Sequence, residues 1–215
     1  MNALTKVGLA AEDFSGMAEG HVRADIPMHS GIPRDILDWR VAFDFQDLAL
    51  AKPLDGQSLT DADGSLTVEK SKATIDAKGK LNGVPATIAL VEPLSPTGPK
   101  RSQHVVLTLD NQARKQIAPG LDGMLSGPVK LEVEALEGGR KAMKADLTSA
   151  MLTLPWANWS KGPGIPAKVS FVMENRDNGV ALNDVDLSGA TFAAKGSLRL
   201  AGGSLESADI KNAKL

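Results

Sequence analysis

The chain has 215 residues, of which 42% are apolar, and 24 basic against 26 acidic residues leave a formal charge of −2. That apolar share supplies a core for one large or two small β domains, while the charge balance excludes an overall field that would gather nucleic acid or an anionic membrane surface. The absence of cysteine excludes a disulfide framework, a thiolate metal site and a cysteine nucleophile, and no run nears the roughly 18 apolar residues of a spanning helix.

Along the chain, Met1 to Lys6 lacks the apolar region of a signal peptide. Val7, Ala10, Phe14 and Met17 recur at helical spacing, a helix candidate that Gly8 and Gly16 oppose. Trp39, Val41, Phe43 and Phe45 then alternate with Arg40, Asp44 and Gln46, which predicts a strand with one apolar side. Leu48 and Leu50 change parity, so a bulge is expected near Asp47. Asp61-Ala62-Asp63-Gly64 has the opening of a calcium loop without its later ligands and reads as a turn. Val105, Leu107 and Leu109 predict a strand, and Asp110 is placed to cap a short helix through Ala113, Arg114 and Ile117 up to Pro119. Residues 120–127 read as irregular chain. Val129, Leu131 and Val133 predict a further strand, as do Ala167, Val169, Phe171 and Met173. Asn82-Gly83, Gly138-Gly139, Asn178-Gly179 and Gly202-Gly203 reach positive φ cheaply and are expected to close hairpins. About ten strands are expected with one or two short helices.

An internal repeat organises this pattern. Ser71 to Leu81 aligns with Ser188 to Leu198, with seven of eleven positions identical and Ile75 replaced by the equally apolar Phe192. Hairpins repeated in this way must stack or curl to bury an apolar side. The chain is therefore expected to be one β-rich segment, 1–215, with possible sub-repeats 20–100 and 101–215. Met1 leads directly into sequence of domain character and Lys214-Leu215 follows no closing element, so an internal fragment of a larger protein is expected.

Two further stretches carry a family resemblance. Asp146-Leu147-Thr148-Ser149-Ala150-Met151-Leu152-Thr153-Leu154-Pro155, continued by Trp159-Ser160-Lys161-Gly162-Pro163-Gly164-Ile165-Pro166-Ala167, resembles a recurring passage of the AsmA-like family of large bacterial envelope proteins. Leu81-Asn82-Gly83-Val84-Pro85-Ala86 and Leu125-Ser126-Gly127-Pro128-Val129 look like other recurring pieces of those proteins. The likeness covers most of residues 50–215. It implies a mostly β fold: an elongated, twisted antiparallel sheet of repeated hairpins, curved like a taco around an apolar groove that carries lipid acyl chains. It also implies a place on the periplasmic side of a bacterial inner membrane and a part in outer-membrane homeostasis. Membrane contact would come only through parts outside this chain, and neighbouring segments of the same larger protein would be its partners. The family's anchor helix is missing from this sequence.

The groove reading names Trp39, Val41, Phe43, Phe45, Ile75, Leu81, Ile88, Leu131, Val133, Val169, Phe171, Met173, Phe192 and Leu198 as the side chains that face lipid. The same residues serve equally as the core of a closed β-sandwich whose outer face meets another protein, and composition does not separate the two readings. Trp156 and Trp159 fit either a ligand-contacting loop or a cap over the end of the core. His21, His29 and His104 are scattered, without the spacing that sets two imidazoles on one metal. No G-x-S-x-G elbow, P-loop or dinucleotide fingerprint occurs, so the chain is read as non-catalytic, without cofactor or metal. Lys100-Arg101 and Arg140-Lys141 lack interleaved aromatics and read as solvated loops, with no nucleic-acid partner.

Overall fold

A computed structural model describes residues 11–25, 38–51, 57–117, 121, 123–154, 158–202 and 204–214. The chain divides into two units, Met1–Gln103 and His104–Leu215. It is mostly β and antiparallel throughout, with more strands than the ten expected.

In the first unit, β1 (Phe14–Asp25), β2 (Asp38–Leu50), β3 (Leu59–Glu69), β4 (Lys72–Leu81) and β5 (Val84–Pro93) pair in chain order as a meander. Side chains on one side of a strand share parity, so the ladder sorts them into cross-strand rows. Gly20, Phe43, Leu66, Ile75 and Leu90 form one row, and Ala18, Phe45, Gly64, Ala77 and Ile88 the next. Between these rows, on the opposite side, run Glu19, Asp44, Ser65, Asp76 and Ala89. One side of the sheet is apolar and the other largely polar.

The expected bulge is present: register shifts between Phe45 and Leu48, and Asp47 sits at φ 51°. A second bulge, between Thr60 and Asp63, places Asp61 at φ 51°. The segment Asp61–Gly64 is therefore not a turn but the middle of β3. Asp tolerates the left-handed region, so the chain absorbs an extra residue without leaving the ladder. Asp61 pairs with Lys80 at 2.8 Å, and Asp63 Oδ1 accepts the Asp47 N–H at 2.9 Å. Phe14 and Met17 belong to β1 rather than to a helix, whereas Val7 and Ala10 lie outside the described residues. Eleven cross-strand pairs with β2, together with Gly16 at φ 124°, outweigh the local helical spacing.

The second unit holds β6 (Ser102–Leu109), α1 (Asn111–Ile117), β7 (Leu125–Ser126), β8 (Val129–Ala135), β9 (Lys141–Asp146), β10 (Met151–Leu154), β11 (Trp159–Lys161), β12 (Ala167–Arg176), β13 (Gly179–Gly189), β14 (Ala193–Ala201) and β15 (Ser204–Lys214). The main ladder runs β6-β8-β9-β12-β13-β14-β15, and β11-β10-β7 form a separate small sheet. Helix α1 starts as its sequence predicts: Asp110 Oδ1 accepts the Ala113 N–H at 2.8 Å.

The turns follow their glycines with one offset. Asn82 and Gly83, at φ 50° and 79°, close β4 onto β5 as a type I′ turn, and Gly138 and Gly139 take φ 72° and 73° between β8 and β9. Between β12 and β13 the loop is Asp177-Asn178, because Arg176 pairs with Gly179. Gly179 is required one step later, at φ 143°, where a Cβ would lie 2.0 Å from the Leu200 carbonyl oxygen. Gly202 takes φ 56° before β15, and Gly203 lies outside the described residues.

The repeat is structural in its second half. Ser71–Leu81 is almost entirely β4, whereas Ser188–Leu198 spans the end of β13, a turn and the start of β14. Ala77, Gly79 and Leu81 correspond to Ala194, Gly196 and Leu198, and each triplet shares the apolar side of its sheet. Both glycines admit a close neighbour: a Cβ on Gly79 would lie 2.9 Å from Ala62 Cα, and one on Gly196 would lie 2.2 Å from the Asp209 carbonyl oxygen. Gly196→Ala is expected to lower stability by about 1–3 kcal/mol, the usual scale of overpacking, read as a lower urea midpoint at unchanged slope.

Candidate functional site

Of the fourteen side chains named for the groove, thirteen lie on the apolar side of their own sheet. In the first unit, Trp39, Val41, Phe43 and Phe45 of β2, Ile75 and Leu81 of β4 and Ile88 of β5 share one side. The ladder sets Phe43 and Ile75 on either side of Leu66. Phe45 and Ile88 are buried, whereas Trp39 and Phe43 keep 36% and 38% of their surface exposed. In the second unit, Leu131 and Val133 of β8, Val169, Phe171 and Met173 of β12 and Leu198 of β14 share one side. Met143 joins Val133 to Phe171, Ala145 joins Leu131 to Val169, and Leu182 joins Met173 to Leu198. Phe192 stands apart: it precedes β14, is buried, and stacks on Trp159 with ring centroids 4.8 Å apart.

The two ends of the second unit's sheet differ in construction. At one end the strands join by tight hairpins, β8 to β9, β12 to β13 and β14 to β15. At the other end the chain leaves β6 for α1, enters β8 from β7, leaves β9 for β10 and enters β12 from β11. Burial follows this division. Leu109, Val129, Leu131, Ala145 and Ala167, next to the elaborated end, are buried, as are Leu125, Leu152 and Leu154 of the small sheet. Val133, Met143, Phe171, Met173, Leu182, Leu198 and Leu200, further along, are only half-buried, and Leu205 is 58% exposed.

One buried lysine holds the elaborated end together. Lys161 Nζ donates to the carbonyl oxygens of Leu147 and Ala150, both at 2.6 Å, with longer approaches to Thr148 at 3.4 Å and Gly162 at 3.3 Å. Asp146 Oδ1 accepts the Thr148 N–H at 2.9 Å, Leu147 N–H donates to the Ala167 carbonyl at 2.9 Å, and Gly164 N–H to that of Thr148 at 2.8 Å. Trp159 Nε1 donates to Thr191 Oγ1 at 3.1 Å, and its ring stacks on buried Phe192, an arrangement that fits the cap over the end of the core. Trp156 lies outside the described residues. The passage from Asp146 to Ala167 is thus a hydrogen-bonded knot, and its Asp, Lys and Gly each hold backbone in place.

Lys161 was not among the expected site residues. Its signal was parity alone, because half-buried Trp159 and buried Lys161 stand on the same side of a three-residue strand. Burial pushes the Lys161 ammonium below the ordinary lysine range, and Asp146 opposes that shift. The Thr148 hydroxyl and N–H, with smaller help from Lys168 and Lys130, hold the Asp146 carboxyl below the usual carboxylate range.

Away from the knot, charges pair across the polar side. Lys195 meets Asp186 at 2.6 Å and Lys80 meets Asp61 at 2.8 Å. Arg176, bonded to Glu174, holds that carboxyl below its ordinary range. Among the described residues, no three metal-ligating side chains gather in one place. Lys141, expected in a solvated loop, is the first residue of β9, where it pairs with Ala135 and Met173 on the apolar side. No known family model, curated protein or solved structure is similar enough to this chain to count as a match.

Two outcomes follow from the knot. Lys161→Met keeps the aliphatic stem but takes the ammonium donor from the Ala150 and Leu147 carbonyl oxygens, of which Leu147 keeps the Ala150 N–H at 3.0 Å, and is expected to destabilise the fold by about 1–3 kcal/mol, measured by urea unfolding at neutral pH. Asp146, whose folded pKa is depressed, contributes stability in full above the ordinary carboxylate value of 3.8, and that contribution is lost as pH falls through the lowered folded value. A urea series between neutral pH and about pH 2 should therefore show an acid loss that is smaller in Asp146→Asn than in the parent chain.

Proposed function

We propose that the chain is a non-catalytic, lipid-handling segment of an AsmA-like bacterial envelope protein, working on the periplasmic side of the inner membrane. One observation carries this reading: each unit sorts its side chains into a continuous apolar side, and large residues on that side remain part-exposed. A folded chain gains by covering such surface at roughly 25 cal/mol per Å². Among the described residues of the second unit the only other sheet is three short strands at one end. That is too little to seal the row through Met173, Leu182 and Leu198, so the closed sandwich is the weaker reading. Acyl methylenes fit the remainder, at about 0.8 kcal/mol for each one withdrawn from water.

The motif passage that resembles the AsmA-like family supports the reading in a second way, since its residues build the knot at the end of the apolar side. The partners proposed are lipid acyl chains and neighbouring segments of the same larger protein, which would extend strands β1 and β15. Among the described residues each of these pairs on one side only.

Native mass spectrometry of the chain purified from bacterial cells is expected to show phospholipid adducts. Phe171→Asp, which sets a carboxylate on the part-exposed row, should reduce lipid occupancy at least about tenfold. A chain that carries no lipid and takes none up from phosphatidylglycerol vesicles would overturn the reading.

A further inference from the structure

The apolar side of the second unit is polar in the sense of direction: one end is sealed and the other open, and a single charge marks the open end. Among the ladder positions on that side, from Leu107 across to Ala213, every residue is apolar or uncharged except Lys141. Lys141 is exposed, begins β9 at the hairpin end, and sits level with Met173. The Asp146 end is closed by the lysine knot, the small sheet and the Trp159–Phe192 stack. From Val169 to Asn175 the part-exposed column of β12 runs over six residue steps, about 20 Å of strand.

From these features we infer that the second unit takes an anionic single- or double-chain amphiphile in one orientation, its tail along the strands toward the Trp159–Phe192 seal and its head group at Lys141. This rests on the lipid-handling reading and adds a direction and a head-group sign to it. The occupant is an anionic amphiphile because an apolar column with one cation at its mouth matches a hydrocarbon tail with one anion at its end. A neutral amphiphile leaves Lys141 unused. An apolar peptide would fill the column but leave its own backbone groups without partners there. The seal acts as a stop. Each added methylene should tighten binding about fourfold while the column is being filled, and chains longer than the column should gain nothing further.

The test uses the whole chain with phosphatidylglycerol bearing a diazirine either at the terminal methyl or next to the carbonyl. After photolysis and digestion, the terminal label is expected on residues near the seal, such as Leu131, Ala145 or Phe192. The carbonyl-proximal label is expected near Met173, Leu198 and Lys141. A reversed or uniform pattern overturns the orientation while leaving lipid handling intact, and no labelling by either probe overturns both. Lys141→Gln, a change at an exposed residue, should weaken phosphatidylglycerol binding severalfold and phosphatidylcholine binding little. An equal effect on both lipids overturns the head-group assignment.

Discussion

Everything in this molecule depends on keeping the two-residue period of its strands in phase. A strand separates its side chains onto two faces because every residue advances by half a turn, and in long strands such as β2 and β13 the apolar pattern changes parity part-way. The chain absorbs each change with a bulge. At Asp47 one extra residue lets Leu48 follow Phe45 onto the apolar side, and at Asp184, φ 53°, another does the same for Val185 after Leu182. Both positions, like Asp61, use aspartate, a residue that enters the left-handed region at modest cost and whose carboxylate remains on the wet side. Without these corrections the apolar rows would break halfway along each strand, and half of each would turn to water.

A one-sided sheet has the opposite difficulty at its ends, where the rows stop and the last apolar layer lies open. The second unit closes one such end with a small number of strong interactions rather than with bulk. A single ammonium satisfies the carbonyls of a tight turn that has no ladder to join, an aspartate caps the same turn, and one aromatic stack lies over the seam. Burying the ammonium is unfavourable in itself, which is why its proton is held less tightly than usual. Two short hydrogen bonds to the Leu147 and Ala150 carbonyls offset that cost.

These two devices give the second unit a face that is continuous sideways and graded lengthwise. Sideways, its paired ladder positions run from β6 to β15 without a charge except Lys141. Lengthwise, it passes from buried layers beside the knot to part-exposed layers at the hairpins. A surface with one dry end, one wet end and a cation at the wet end has the same asymmetry as an anionic lipid, and the proposed function draws on that correspondence.

Much of this was legible before any coordinates. The alternation in Trp39 to Phe45, Val129 to Val133 and Ala167 to Met173 determined which side chains share a face, since strand parity is a local property of the backbone. The parity change at Leu48 located a bulge, Asp110 announced the start of α1, and Asn82-Gly83 announced its hairpin, each through chemistry confined to a few neighbouring residues. Phe14 and Met17 misled because the pairing of β1 with β2 is not local and outweighs helical spacing. Asp61 misled because an aspartate at positive φ serves a bulge as well as a turn. What only the tertiary structure decided is where the face ends: Lys161 meets Leu147 and Ala150 across eleven to fourteen residues, and Trp159 meets Phe192 across more than thirty. Such contacts follow from how separate strands are brought together, and no period within a strand encodes that.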